Sequence, residues 1–266
     1  MIRLCTETDR TNVLNYLYQN PSYNIFPIGD IEHFGFDSDF QHVYIEEDEH
    51  QQIISLLLRY REHGIFYTEK DVFNPAYLDI MKQHDLAYIS GKTDIMKLVK
   101  PYLDNFDEKL EYFCATNKET VQVESINDPE IHLVQTTEDM GRLYDLLSLI
   151  TEFGIFKKSK AEFIESKALS IQMGDTYFIE EDGQIVSTVA VTAETTINGM
   201  VVAVATHPDY RNRGYASRLM KRLLSRYLIE KEKDLCLFYD NPKAGAIYIR
   251  LGFEEIGMWS MFERRD

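Results

Sequence analysis

The sequence predicts an α/β (α+β) protein of two tandem lobes, each a mixed, mainly antiparallel sheet flanked by helices. Three observations lead there. The carboxy-terminal part reads as an ordered series of strands and helices, a blurred copy of that order precedes it, and a polar, charged stretch at 117–130 separates the two. The expected domains are residues 1–120 and 130–266. A chain of 266 residues accommodates two domains of ordinary size, and 44% hydrophobic with 12% aromatic content is enough for two cores.

In the amino-terminal part, residues 2–5 have strand character and about 10–19 helical character. Three strand-like runs follow at 42–46, 53–60 and 65–68. Next come a helix at 75–84, a strand at 86–90, a helix at 93–103 and a strand at 110–114. In the carboxy-terminal part, 131–134 reads as a short strand, and Thr136 to Asp139 as a helix cap before 140–150. A second helical stretch covers 159–172. Strands at 176–180 and 185–192 flank Glu181-Asp182-Gly183-Gln184, a hairpin turn with glycine. Asn198-Gly199 is a turn dipeptide before a strand at 200–206. A helix from about 215 to 231, a strand at 235–239, a helix at 244–251 and a final strand at 258–263 complete the order.

Between the strand at 200–206 and the helix that follows lies His207-Pro208-Asp209-Tyr210-Arg211-Asn212-Arg213-Gly214-Tyr215-Ala216-Ser217. Small residues stand where a backbone must approach something closely, and two arginines lie beside a helix start. The unpaired amides and positive dipole end of a helix N-terminus favour an anion. This is an anion cradle suited to a pyrophosphate. The segment resembles the acyl-CoA-binding motif of the GNAT N-acetyltransferase superfamily, Arg/Gln-x-x-Gly-x-Gly/Ala after a strand, met here by Arg211, Gly214 and Ala216. A second stretch, Asn241-Pro242-Lys243-Ala244-Gly245-Ala246-Ile247-Tyr248-Ile249-Arg250-Leu251-Gly252-Phe253, matches the family pattern Asn-x-x-Ala-x-x-(apolar)-Tyr-x-x-x-Gly-Phe. The two stand in the family's order, one helix and one strand apart. The resemblance is specific over about 131–263. It extends to the amino-terminal half through the order of elements and through Asn24-Ile25-Phe26-Pro27-Ile28-Gly29-Asp30-Ile31-Glu32, similar to the first lobe of tandem members. That half is a degenerate copy, because Tyr67 to Phe73 carries two acids and no glycine.

The resemblance implies a CoA-dependent N-acyltransferase, most simply one moving acetyl from acetyl-CoA to a primary amine of a small molecule or amino acid in a ternary complex. It places the pyrophosphate on the backbone of Arg211, Asn212, Arg213, Gly214, Tyr215, Ala216 and Ser217. Carbonyl polarisation falls to amides near Val204 and Thr206, and the pantetheine arm to Asn241. Tyr248 becomes the proton donor to the leaving thiolate, which a phenol of pKa about 10 can serve. Each has a structural alternative: Gly214 as a plain tight turn, Asn241 as a helix cap, Tyr248 as a core side chain. No carboxylate lies on the 200–206 strand, so Glu194 is the candidate general base, with Asp240 and His207 behind it. A solvated loop glutamate is the competing reading of Glu194.

Formal charge is −16, from 28 basic and 44 acidic residues. That field repels nucleic acid and anionic membrane, favours a cationic amine, and also serves solubility alone. Cys5, Cys114 and Cys236 are widely spaced, with no Cys-x-x-Cys pair, so a reducing, cytoplasmic setting without metal is expected. No apolar run approaches a membrane span, and the first residues lack a signal-peptide pattern. Residues 152–174 would face the acceptor: Phe153, Phe156 and Phe163 as pocket or core, and Lys157, Lys158 and Lys160 as a hint of a carboxylate. A monomer or homodimer is compatible with all of this. The alternative function is a non-catalytic acyl-CoA-binding or regulatory module. No Gly-x-x-x-x-Gly-Lys-Ser/Thr, Gly-x-Gly-x-x-Gly or His-Glu-x-x-His supports another phosphate or metal enzyme.

Overall fold

The computed structural model describes residues 1–150 and 159–265. Two compact units emerge. One comprises residues 1–113, 238–240 and 255–266; the other comprises 114–237 and 241–254. Each carries a mixed, mainly antiparallel sheet with helices, as the sequence predicts.

In the amino-terminal unit the strands are β1 (Ile2–Leu4), β2 (Gln41–Glu47), β3 (Ile53–Tyr60), β4 (His63–Thr68), β5 (Tyr88–Lys92), β6 (Phe106–Ala115) and β12 (Glu254–Arg264). Their order is β1-β2-β3-β4-β5-β12-β6. Helices α1 (Arg10–Leu17) and α2 (Ile25–Phe34) cover one face, and α3 (Tyr77–Gln83) and α4 (Thr93–Val99) the other. Strand β3 shows why. Leu56 and Leu58 enter one core with Val13, Leu17 and Ile28, while Leu57 enters the other with Phe66, Tyr77 and Met96. A strand covered on both faces reads as a continuous apolar run rather than an alternating one.

The carboxy-terminal unit orders β11 (Asp234–Tyr239), β10 (Asn198–Thr206), β9 (Gln184–Thr192), β8 (Thr176–Glu181) and β7 (His132–Leu133). Helices α5 (Thr137–Ser148) and α6 (Lys160–Ser170) share a core with Phe178, Ile185 and Ala205. Helix α7 (Tyr215–Leu224) packs against β8, β9 and β10, burying Tyr215, Leu219, Met220, Leu223 and Leu224. Helix α8 (Pro242–Arg250) precedes the Gly252-Phe253 turn.

The structure departs from the sequence expectations in three places and adds one helix where no element was expected. The helix expected to reach 231 stops being α-helical at Leu224 and continues as a π-helical turn, Ser225–Glu230. Asn198-Gly199 opens β10, and the tight turn lies just before it, where the Thr195 amide donates to the Asn198 carbonyl at 2.8 Å. The segment around Phe26 is a full helix, α2, whose start lacks any side-chain cap. The final strand, expected as the last of the carboxy-terminal part, pairs antiparallel with β5 and belongs to the amino-terminal unit. Its Trp259 and Phe262 are 3% and 2% exposed, so apolar burial fixes it there. Among the described residues no helix is long and apolar enough to cross a membrane.

Candidate active site

The candidate site is built on β10 and the turn that leaves it. Strands β10 and β11 run parallel in register from Asn198–Asp234 to Val201–Leu237, and the register stops there. On the other side, Val202 pairs with Ala190 and Ala205 with Thr188, so three steps along β10 match two along β9. This is a β-bulge with one extra residue. Ala203 sits in it at φ +53, a left-handed conformation that a non-glycine residue rarely adopts. Beyond Val201 the β10 backbone therefore leaves β11 and bends. Val202 is 37% exposed, and Val204 and Thr206 are partly exposed. Sequence reasoning placed Val204 and Thr206 on this strand but missed the bulge, because alanine carries no turn signal.

The turn after β10 starts with a 3-10 turn at Pro208–Tyr210. His207 caps it, its Nδ1 accepting from the Asp209 amide at 3.2 Å. Asn212 and Gly214 then take left-handed conformations at φ +64 and +83. A Cβ built on Gly214 would meet nothing within 4 Å, so the requirement for glycine there is conformational and the space in front of it is open. Gly214 is the N-cap of α7 and has no side chain with which to cap it. The helices α5 and α6 begin instead with full capping boxes on Thr136 and Ser159. The first intrahelical bond of α7 runs from Arg218 to the Gly214 carbonyl at 3.0 Å. The amides of Tyr215, Ala216 and Ser217 are thus left without helical acceptors at the positive end of the dipole.

Around this opening, Arg211 is exposed and its Nε donates to the Thr206 carbonyl at 3.3 Å. Arg213 is exposed too, with its guanidinium 4.8 Å from the Tyr210 ring centre. Tyr215 contributes only its backbone to the opening, since its buried ring directs the hydroxyl to Glu181 at 2.7 Å. An acid-rich chain keeps two arginines here without a carboxylate partner among the described residues. Charge, open volume and free amides agree on an anion.

Asn241 is the N-cap of α8: its Oδ1 accepts from the Lys243 amide at 2.9 Å. The cap engages the oxygen and leaves the exposed amide nitrogen as the group that could meet a ligand. Tyr248 is buried on α8, ring to ring with Phe253 at 6.2 Å. Burial, with a smaller contribution from Cys114, pushes its phenol up to about 12, so the hydroxyl stays protonated at neutral pH.

Glu194 lies at the hairpin end of β10, about 26 Å along the strand from Thr206 at ~3.3 Å per residue. It accepts from Tyr227 Oη at 2.8 Å, Lys231 Nζ at 2.8 Å and Lys233 Nζ at 2.7 Å. Burial alone would raise its carboxyl, but these three donors outweigh that and hold it below the ordinary range. A carboxylate so held is a weak base, and its position ties the β9–β10 hairpin to the end of the α7 segment. The expectation of Glu194 as general base therefore meets an ion-paired carboxylate at the wrong end of the strand. Asp240 is exposed and pairs with Lys109 at 3.4 Å. On the acceptor side, Phe163 is in the α5–α6 core and Lys160 is bound to Asp145 at 2.7 Å. Phe153, Phe156, Lys157 and Lys158 lie outside the described residues.

Comparison with known proteins bears on the family and the fold. Residues 173–255 match the family model of the acetyltransferase (GNAT) domain. No curated protein matches the chain. Among solved structures, similarity extends over nearly the full length. A Drosophila protein covers 99% of this chain and 98% of its own, with TM-score 0.68 and 11% identity. A GCN5-related N-acetyltransferase from Sphaerobacter thermophilus covers 99% and 95%, with TM-score 0.66 and 12% identity. A tandem GNAT protein from the clavulanic acid biosynthesis pathway covers 98% and 97%, with TM-score 0.59 and 10% identity. At such identities the likeness is one of fold. The chain carries a GNAT acetyltransferase domain in its carboxy-terminal half, and over its full length it has the fold of GNAT proteins, a tandem member among them.

Proposed function

We propose that the carboxy-terminal unit is a CoA-dependent N-acyltransferase, most simply one that moves acetyl from acetyl-CoA to a primary amine. One observation carries this reading: the uncapped start of α7, open in front of Gly214, beside the stretch of β10 that has left β11. The amides of Gly214 to Ser217 would hold the pyrophosphate, with Arg211 and Arg213 adding charge. The backbone of β10 around Val204 and Thr206 would pair with the pantetheine arm and polarise the thioester carbonyl. The Asn241 amide nitrogen would donate to a carbonyl of that arm. As the amine nitrogen bonds to the acyl carbon and the carbon–sulfur bond breaks, Tyr248 would give its proton to the departing thiolate, and the proton shed by the nitrogen would pass to solvent, from which the phenolate is reprotonated. Glu194 is assigned no proton transfer, and the amine is taken up as its free base.

The ion-paired state of Glu194 also favours a second reading, a non-catalytic acyl-CoA binder. One experiment serves both. Titration calorimetry with acetyl-CoA tests binding, and thiol release in the presence of an amine panel tests turnover. Binding that is abolished in the Arg211→Glu/Gly214→Glu variant, with thiol release, supports the enzyme. Binding with no thiol release for any amine supports the binder, and no binding removes both.

A further inference from the structure

Along α2, Phe26, Asp30 and Phe34 recur at intervals of four, which aligns them along one face of the helix. Other positions, Ile28 and Ile31, enter the core with Val13, Leu17 and Leu56. The stripe is only partly covered, each of its three residues being of intermediate exposure. At one end the Phe26 ring stacks on Phe238 at 6.2 Å and lies 6.5 Å from Trp259. At the other, Phe34 meets Phe40 at 5.3 Å and Tyr60 at 5.9 Å. Asp30 thus stands one helical turn from each of two ring clusters.

Its carboxylate has no ion pair or hydrogen-bond partner among the described residues; only its backbone carbonyl is engaged, by Gln41 Nε2 at 3.2 Å. Burial, with no cation near enough to offset it, pushes the carboxyl up to about 7. A carboxylate that burial disfavours and no protein cation meets is stabilised by a cation that reaches it. Rings of this unit already attract cations. Lys92 Nζ lies 4.7 Å from the Tyr23 ring centre, and the Arg61 guanidinium 5.9 Å from those of Phe40 and Tyr60. A carboxylate one helical turn from aromatic rings on either side is a combination that can recognise an alkylated ammonium, through an ion pair at the nitrogen and cation–π contact around it.

We propose that the Phe26–Asp30–Phe34 stripe of the amino-terminal unit is a binding site for an organic ammonium ion. The inference does not rest on the acyl-transfer reading, because it concerns residues of the other unit and is tested without acetyl-CoA. The probe is butylammonium chloride, titrated into the full-length protein by calorimetry with sodium chloride at equal ionic strength as control. Trp259, the one tryptophan of the chain, reports the location by its fluorescence. Saturable binding is expected, weakened about 10- to 100-fold in Asp30→Asn and several-fold in Phe26→Leu. Thermal melting establishes that each variant folds; if Asp30→Asn does not, Phe26→Leu and Phe34→Leu carry the test. Absence of saturable binding, an equal response to sodium chloride, or unchanged affinity in the folded variants would overturn the proposal. Acetyl-CoA affinity, measured in parallel, separates this failure from a failure of the acyltransferase reading.

Discussion

The two units trace the same path and end it differently. In the amino-terminal unit β2, β3 and β4 run antiparallel, α3 follows, and β5 returns parallel to β4 in the register His63–Tyr88 to Ile65–Ser90. In the carboxy-terminal unit β8, β9, β10, α7 and β11 repeat this, with parallel register again confined to the start of the middle strand. Two local features separate them. The β3–β4 register is unbroken from Ser55–Thr68 to Tyr60–His63, whereas β10 carries the bulge at Ala203. The turn after β4 also satisfies its own backbone. The Glu69 amide donates to Tyr16 Oη, that of Lys70 to Thr68 Oγ1, that of Val72 to the Lys70 carbonyl, and that of Ala76 to Asn74 Oδ1. After β10 the amides of Asp209, Tyr210 and Arg211 are satisfied locally, but those of Tyr215, Ala216 and Ser217 lack helical acceptors, beside the open space at Gly214. The same topology thus carries a closed turn in one unit and, in the other, the turn proposed as a ligand cradle.

The comparison breaks most sharply at Gly214. Glutamate there would set a negative charge before the free amides in a left-handed conformation, at a cost of about 3 kcal/mol or roughly 100-fold in acetyl-CoA affinity. Calorimetry reads this directly; affinity within threefold of wild type would refute the cradle. Tyr248→Phe keeps the ring and removes the proton, so kcat should fall about 100-fold while the acetyl-CoA Kd holds. Steady-state kinetics beside calorimetry distinguishes that from a packing defect, which would move both. Glu194→Gln should lower stability by about 1–3 kcal/mol in denaturant melts while leaving acetyl-CoA affinity within twofold. The same carboxylate sets a pH dependence. It titrates lower in the folded chain than in the unfolded one, so its contribution is complete above the ordinary value of 4.5 and is lost as pH falls through the lowered one. Relative to wild type, the stability deficit of Glu194→Gln should therefore shrink in acid. The smallest effect is expected in the amino-terminal turn: Asp71→Arg should add no second acetyl-CoA site, and stoichiometry should stay at one per chain.

Much of this was legible in the sequence. Residues with a strong local preference declared themselves: Gly214 before a run with helical spacing, Thr136 with Asp139 three residues on, and the apolar strand run of β10. What escaped depends on distant partners. Ala203 takes its left-handed angle because β9 and β10 must stay paired on both sides of an extra residue, and no property of alanine signals that. Glu194 looked like a loop carboxylate because the Lys231 and Lys233 ammonium groups reach it from more than 35 residues away. Asn241 met its structural expectation as the cap of α8 through its oxygen, and its amide nitrogen is what the proposed ligand role would use.

The placement of β12 has a consequence for how the molecule is made. This strand lies between β5 and β6, inside the amino-terminal sheet, yet it follows every other strand in the chain. Domains usually fold in the order of synthesis. Here the first-translated unit is left with a gap in its sheet until the second has left the ribosome. The catalytic candidate is therefore free to form first, and the amino-terminal scaffold closes last. A ribosome stalled before residue 254 would hold a nascent chain with an unpaired β5 edge, the kind of surface that holdase chaperones cover.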